Sequence, residues 1–470
     1  MLFNSWLFPP FLIVVLILYR VLPDRYQNTM LLAASYFFYA CWDWRFLGLL
    51  LLSTTCDWLL ARAINREPTR AKARRWVACS VGVNLVFLGF FKYFNFFIDS
   101  ANSLLSSFGL STWDFHLRVI LPVGISFYTF QSISYIVDVY RGEIQPAQNP
   151  IDFALFVAFF PHMVAGPIMP SRNLLPQFQR ERRTTLLQVG TGLWLMLLGF
   201  FKKVVVGDNL APIVDQVFAQ TVAPAGAAVL LGVYAFALQI YCDFSGYSDI
   251  ARGVAKLLGI ELMVNFNRPY MATNPSDFWR RWHISLSTWL RDYLYVPLGG
   301  NRGGGAETYR NLMITMVLGG LWHGAAWNFL LWGAYHGILL VLHRLFVLDL
   351  KVWTGSSLPE RIVSRFVMFN AVCYGWLLFR AGSFEQIRNF TAALGSAFHL
   401  RGLGLSESIT LFGLAAVMLW ALESWTGNAD DPSRSVGWQV GLGPLICSLM
   451  VVAIVLFAPP VAQSFIYFQF

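Results

Sequence analysis

The chain has 470 residues, of which 57% are hydrophobic and only 13% charged, about half the charged share of a soluble protein. Its mean hydropathy is +0.55. It lacks the charge to cover a water-facing surface, which excludes a soluble enzyme, a disordered chain and a secreted disulfide scaffold and leaves a polytopic membrane protein. The net charge of +9 comes from 34 Lys and Arg against 25 Asp and Glu. It fits basic cytoplasmic loops rather than nucleic acid, since no basic helix or aromatic-basic RNA motif accompanies it.

Apolar runs long enough to enter a hydrocarbon core of ~30 Å predict helices along the whole chain. They lie at about 7–22, 29–63 (as two), 76–97, 118–138, 151–169, 186–206, 225–242, 311–331, 332–349, 364–380, 408–424 and 440–458. The first run follows no basic stretch and no small-residue cleavage site, so it reads as a retained membrane segment. The runs are continuous rather than alternating, which favours helices over a barrel. The expectation is an all-α polytopic protein of roughly eleven to thirteen membrane helices, with re-entrant or interfacial helices, forming a single membrane domain over 1–470.

Two stretches depart from clean spans. One is 243–310, polar and charged but with an aromatic stripe; the other is 121–172, interrupted by Pro122, Pro161, Pro167 and Pro170. Broken backbone at membrane depth survives only when buried in protein or lining a cavity, so both are candidates for the functional interior. The basic segments 62–75 and 172–183 are expected on the cytoplasmic side, and 425–437 is expected to be a loop. Cys41, Cys56, Cys79, Cys242, Cys373 and Cys447 form no CxxC pair and are expected to be small buried hydrophobes.

Polar groups within apolar sequence mark candidate chemistry. His323 sits in a run from Leu312 to Leu331, with Gly319 and Gly320 one turn before it, Gly324 after it, and Trp327 one turn later on the same side. Glycines there let a ligand or another backbone come close, and a neutral imidazole could act as a general base. The alternative is a core histidine bonded to a carbonyl. His283 lies in the run 277–293, which reads as one amphipathic helix with an Asp277–Arg281 pair, Trp282 and Trp289 on one face and Ser287 one turn on. The alternative there is an interfacial helix in the headgroup region. The loop Leu298–Gly305 carries Asn301 and Arg302 among glycines and could cradle phosphate, or simply connect. Asp243 and Asp249 could orient a histidine or a substrate, or be neutralised by Arg252 or Arg268. His116, His162, His336, His343 and His399 read as structural. No metal-ligand spacing and no GxSxG motif occurs.

At these residues the sequence resembles the membrane-bound O-acyltransferase family, in its bacterial alginate O-acetyltransferase branch. The resemblance rests on Leu121–Ser132, Tyr135–Gly142, Val164–Pro167, Asp243–Asp249, Asn265–Tyr270, Phe278–Tyr295 and Gly319–Gly324, a motif core at about 118–340. It implies many helices around a central tunnel, His323 as the catalytic histidine and His283 as a second functional one. It implies acetyl-CoA as a cytoplasmic donor, and no permanently bound cofactor. It also implies a polysaccharide acceptor outside the bacterial inner membrane, reached through an SGNH-hydrolase-like partner within a polysaccharide synthesis and secretion complex. Alginate leads, with cellulose and peptidoglycan as further acceptors. A substrate-binding set of Trp279, Arg280, Arg281, Ser287, Arg291, Asn301, Arg302, Trp322, Asn328, Asp243, Asp249 and Asn265 is expected around the histidines. Within it, Arg280, Arg281, Arg291 and Arg302 are candidates for the coenzyme A phosphates. A transporter or flippase, or a secretion scaffold, is the reading from another class.

Overall fold

The structure is a computed structural model that describes residues 1–113, 115–117, 119–220, 224–349, 357–395, 405–426, 442–459, 463 and 465–466. Every regular element among them is helical. Six helices are long and apolar enough to cross a membrane: Asp24–Arg66, Arg70–Ser107, Leu186–Phe218, Gly226–Leu257, Trp327–Val347 and Leu358–Arg380. Shorter apolar helices at Phe8–Val21, Ser408–Ser424 and Gly443–Leu456 accompany them. The loop expected at 425–437 lies, from 427 onward, outside the described residues, as does His399.

The chain packs as two compact units. The first comprises Met1–Thr185, Ala255–Met263 and Gly324–Ala326; the second comprises Leu186–Val254, Val264–His323 and Trp327–Phe470.

The first unit holds α1 (Phe8–Val21), α2 (Asp24–Asp43), α3 (Leu47–Arg66), α4 (Arg70–Ser107), α5 (Ile125–Arg141), α6 (Pro150–Ala158) and α7 (Ser171–Phe178). The run 29–63 is two helices as expected, joined by a turn at Trp44–Phe46 where the Asp43 carboxylate accepts the Arg45 N–H. The run 151–169 is helical only to Ala158; turns carry the chain to Ala165 and irregular backbone from there to Pro170. Gly124, at φ 75°, lies so near the Met163 carbonyl that a Cβ would overlap it. Asp57 is buried on α3 and accepts Ser80 Oγ at 2.6 Å and Asn84 Nδ2 at 3.0 Å, so its charge is met by hydrogen bonds within the bundle. Arg182 is no loose loop residue. Its guanidinium donates to Tyr19 Oη at 2.9 Å and to Asn28 Oδ1 at 2.6 Å.

The second unit holds α8 (Leu186–Phe218), α9 (Gly226–Leu257, through Val254), α10 (Pro275–Trp279), α11 (Ile284–Leu290), α12 (Gly305–His323), α13 (Trp327–Val347), α14 (Leu358–Arg380), α15 (Phe384–Leu394), α16 (Leu405–Thr426) and α17 (Gly443–Leu456). Small residues let its helices touch. Gly199 of α8 meets the backbone of Gly246 on α9, and Gly320 of α12 meets that of Phe329 and Gly333 on α13.

Four further sequence expectations change. The run 225–242 extends to Leu257, so Asp243 and Asp249 lie inside a helix rather than at its end. The run 277–293 is two short helices, not one, because His283 adopts left-handed backbone at φ 42° and breaks it. The run 311–331 also breaks, since α12 ends at His323 and α13 begins at Trp327, which is exposed rather than stacked one turn after the histidine. Of the cysteines only Cys242 and Cys373 are buried; Cys41 and Cys79 are exposed on α2 and α4, where in a membrane a small apolar side chain can face lipid.

The α12–α13 crossing has no room for a side chain at Gly320. Gly320→Val should cost ~1–3 kcal/mol by overpacking and lower the melting temperature of the purified protein. Gly190→Ala, where a Cβ meets nothing within 4 Å, should leave it unchanged or raise it slightly.

Candidate active site

His323 is the last residue of α12 and is buried. Three rings hold it edge-on: Trp322 at 5.0 Å, Trp332 at 5.0 Å and Phe379 at 5.5 Å between centroids. Trp332 reaches it because Gly320 and Gly333 let α12 and α13 cross with their backbones in contact. The glycines beside the histidine therefore divide their work. Gly320 admits a neighbouring helix, while Gly319 faces a cavity that His323 also lines.

That cavity has a volume of about 230 Å³. Its wall includes Trp279, Ser287 and Arg291, all expected from sequence, together with Tyr295, Thr315 and Trp332, which were not. Thr315 lies eight residues before His323 and Met316 seven, on the same helical face, so the helical period carried that signal. Trp332 carried none, because its place depends on the break between α12 and α13.

His283 is fully buried, and its ring centroid lies 6.5 Å from that of His323; Trp322 flanks both, at 6.0 Å from His283 and 5.0 Å from His323. Its left-handed backbone is uncommon outside glycine and costs about 1 kcal/mol. Asn265 holds it there. The Asn265 carbonyl accepts the Ile284 N–H at 2.9 Å, and Asn265 Oδ1 accepts the Ser285 N–H at 3.2 Å and Ser285 Oγ at 2.9 Å. The same Oδ1 lies 3.2 Å from His283 Nδ1. An oxygen that accepts a backbone N–H is an acceptor towards the ring as well. Nδ1 thus carries the proton and Nε2 the lone pair. His283 lies outside the six long apolar helices, and burial pushes its imidazole down to about 3, so the ring is neutral at physiological pH.

The other expected residues do different things. Trp322 packs its ring against both histidines. Arg281 is tied to Asp277 at 2.9 Å, and Arg280 is exposed with its Nε donating to the Ser276 carbonyl at 3.3 Å. Asn301 and Arg302 are exposed on the glycine loop and do not line the cavity. Asn328 donates to the carbonyls of Phe379 and Ala381, both at 3.1 Å, and so closes the end of α14. Asp249 pairs with Lys202 at 2.9 Å and lies 3.6 Å from Arg252. Asp243 pairs with Lys203, which also binds Asp208 at 2.7 Å. The lysines, on the π-helical turn Phe201–Gly207 of α8, are partners that sequence reading missed. Arg268 instead donates to the Glu423 carbonyl. Among the described residues no three His, Cys, Asp or Glu side chains are grouped as a metal site would need.

The membrane-bound O-acyltransferase family profile matches residues 143–381. The chain belongs to that family. It is an O-acyltransferase and a multi-pass membrane protein, which removes the transporter and scaffold readings. It is 47% identical to the probable alginate O-acetylase AlgI of Azotobacter vinelandii, over 82% of this chain and 76% of that one. It is 42% identical to the probable alginate O-acetylase AlgI of Pseudomonas putida, over 98% of both. It is 37% identical to the peptidoglycan O-acetyltransferase of Helicobacter pylori, over 82% of this chain and 78% of that protein.

If Asn265 fixes the tautomer and aim of His283, Asn265→Ala should lower kcat at least ~10-fold with little change in donor KM. Because the ring stays neutral down to about pH 3, the rate–pH profile between pH 5 and 8 should show no limb that disappears in His283→Gln.

Proposed function

We propose that this chain carries acetyl groups from cytoplasmic acetyl-CoA across the bacterial inner membrane for O-acetylation of an extracytoplasmic polysaccharide such as alginate. The observation that carries this reading is His323 in the wall of a narrow cavity, with a second, neutral histidine beside it. A cavity of about 230 Å³ is below the usual ~300–1,000 Å³ of ligand pockets, and so suits a short acyl group. The alginate O-acetylase names of the relatives support the acceptor class.

In this mechanism an acceptor hydroxyl attacks the thioester carbonyl carbon. His323 takes the hydroxyl proton as the new C–O bond forms and the C–S bond breaks. Coenzyme A leaves as a thiolate and receives that proton from the imidazolium, so protons balance. His323 closes α12, and the negative end of the helix dipole stabilises the positive charge the ring transiently carries. Of the four candidate arginines only Arg291 lines the cavity, and its exposed side chain suits it to the donor's phosphates at the mouth. The attacking hydroxyl belongs to an SGNH-hydrolase-like partner outside the membrane, which in a second transfer passes the acetyl group from its own ester to a polysaccharide hydroxyl and regains its proton. The Helicobacter relative supports peptidoglycan as a second acceptor.

The test is transfer of label from radiolabelled acetyl-CoA in membranes that hold this chain and its partner, with alginate, peptidoglycan and cellulose offered separately. Label should reach alginate, and His323→Ala at equal expression should lower transfer at least ~100-fold. Transfer unchanged in His323→Ala would make that histidine a core residue. Arg291→Ala should raise donor KM about 10-fold at unchanged kcat, the signature of a lost ground-state contact.

A further inference from the structure

We propose that the groove between α13 and α14 binds an anionic glycerophospholipid of the bilayer, with one acyl chain along the two helices and the phosphate at their arginine-bearing end. The helices run antiparallel and are close at one end. There Asn328 holds the carbonyls of Phe379 and Ala381, Tyr335 Oη donates to the Ala371 carbonyl at 2.9 Å, and Gly375 sits against the His336 ring. Towards the C-terminus of α13 they part and leave a second cavity of about 570 Å³, larger than the one beside His323.

The walls of this groove are apolar along most of its length: Leu339, Leu342 and Phe346 from α13, and Val363, Val367 and Met368 from α14. From Leu339 to Val347 the α13 wall is about 12 Å long, close to the ~15 Å that one leaflet contributes to the hydrocarbon core. Polar lining comes from His343, midway along the α13 wall, from Ser364 near the start of α14, and from Thr273 and Asn274. Arg344 follows His343 directly, and Arg280 lies within electrostatic range of its ring. Arg361 and Arg365 flank Val363 and Ser364 on α14, and both are exposed.

Arg361 and Arg365 stand four apart on one helix face. Like charges at that spacing repel, and among the described residues neither arginine has a carboxylate within ion-pair distance. An anion between them removes the repulsion. Two spanning helices, an apolar channel one leaflet deep and a basic mouth at headgroup level define an amphipathic ligand with a phosphate at one end and a hydrocarbon chain at the other. A neutral lipid meets the channel but leaves the arginines uncompensated.

The groove shares a wall with the candidate active site. α13 presents Leu339 and Leu342 to the groove and Leu340 to the cavity of His323. Ser276 lines that cavity, and its Oγ lies 3.5 Å from Nδ1 of His343 in the groove. A lipid seated here braces the helix that carries Trp332.

The test is native mass spectrometry of the purified full chain released from nanodiscs made of equal phosphatidylglycerol and phosphatidylcholine, with melting of each sample measured in parallel. One phosphatidylglycerol should be retained in preference to phosphatidylcholine. Arg361→Gln with Arg365→Gln should weaken retention about 30-fold, the worth of two basic side chains near a phosphate. Val367→Trp should fill the channel and displace the lipid while the melting curve stays cooperative. Equal retention of the two lipids would show an ordinary lipid-facing surface and overturn the proposal. So would retention unchanged in both variants. These are binding readouts, so their failure would leave the acetyl-transfer reading standing, and a loss of transfer in His323→Ala would leave this site standing.

Discussion

The site depends first on the backbone contact between α12 and α13. Gly320 and Gly333 carry no side chain where the two helices cross, so the axes come close enough for Trp332, the residue before Gly333, to press its ring edge onto His323, three residues after Gly320. In lipid there is little hydrophobic force to draw helices together, and close packing of small residues supplies much of what there is. Any bulk at the crossing separates the histidine from one of its three aromatic walls. It also widens the cavity whose small volume suits a short acyl group.

Both histidines stand at breaks in helix rather than in helix interiors. His323 ends α12, and His283 precedes α11 in left-handed backbone. A break frees backbone groups that must find partners where water is scarce. At His283 the partner is one residue, Asn265. It receives the Ile284 N–H on its backbone and the Ser285 N–H and hydroxyl on its side chain, and places the same oxygen beside the imidazole. The contacts that make the strained turn tolerable are those that select the ring's tautomer.

Composition and unbroken apolar runs made the class and most helices legible, because lipid demands long continuous hydrophobic stretches. The breaks were not legible for the same reason. Gly324, Ala325 and Ala326 are as compatible with an apolar helix as with the turn they form, so the run 311–331 reads as one span and puts Trp327 beside the histidine instead of Trp332. At 277–293 the 3.6-residue period holds for the Asp277–Arg281 pair and fails two residues later at His283, whose conformation depends on Asn265, eighteen residues away in sequence. The glycine-rich motif around His323 did mark the right place, since close approach is what glycine uniquely permits, but sequence could not say whether the approaching group is ligand or helix.

Asp243 and Asp249 show the limit most plainly. Two carboxylates six apart beside aromatic residues look placed to orient a histidine or a substrate, yet each sits on a lysine of the preceding helix, forty or more residues away in sequence. Buried ion pairs add little net stability, because the attraction must first offset the loss of water from both charges, but a lone charge left in their place is strongly destabilising. Their effect is therefore on arrangement. Asp243 accepts the Ile466 N–H at 2.7 Å, which sets Phe465 against Phe244 and Tyr247, and Phe244 stands edge-on to His283 with centroids 4.7 Å apart. The carboxylate reaches the histidine through an aromatic ring rather than through a proton. A catalytic-looking motif can thus be necessary to the site without touching substrate, because what it fixes is the position of the wall behind the imidazole.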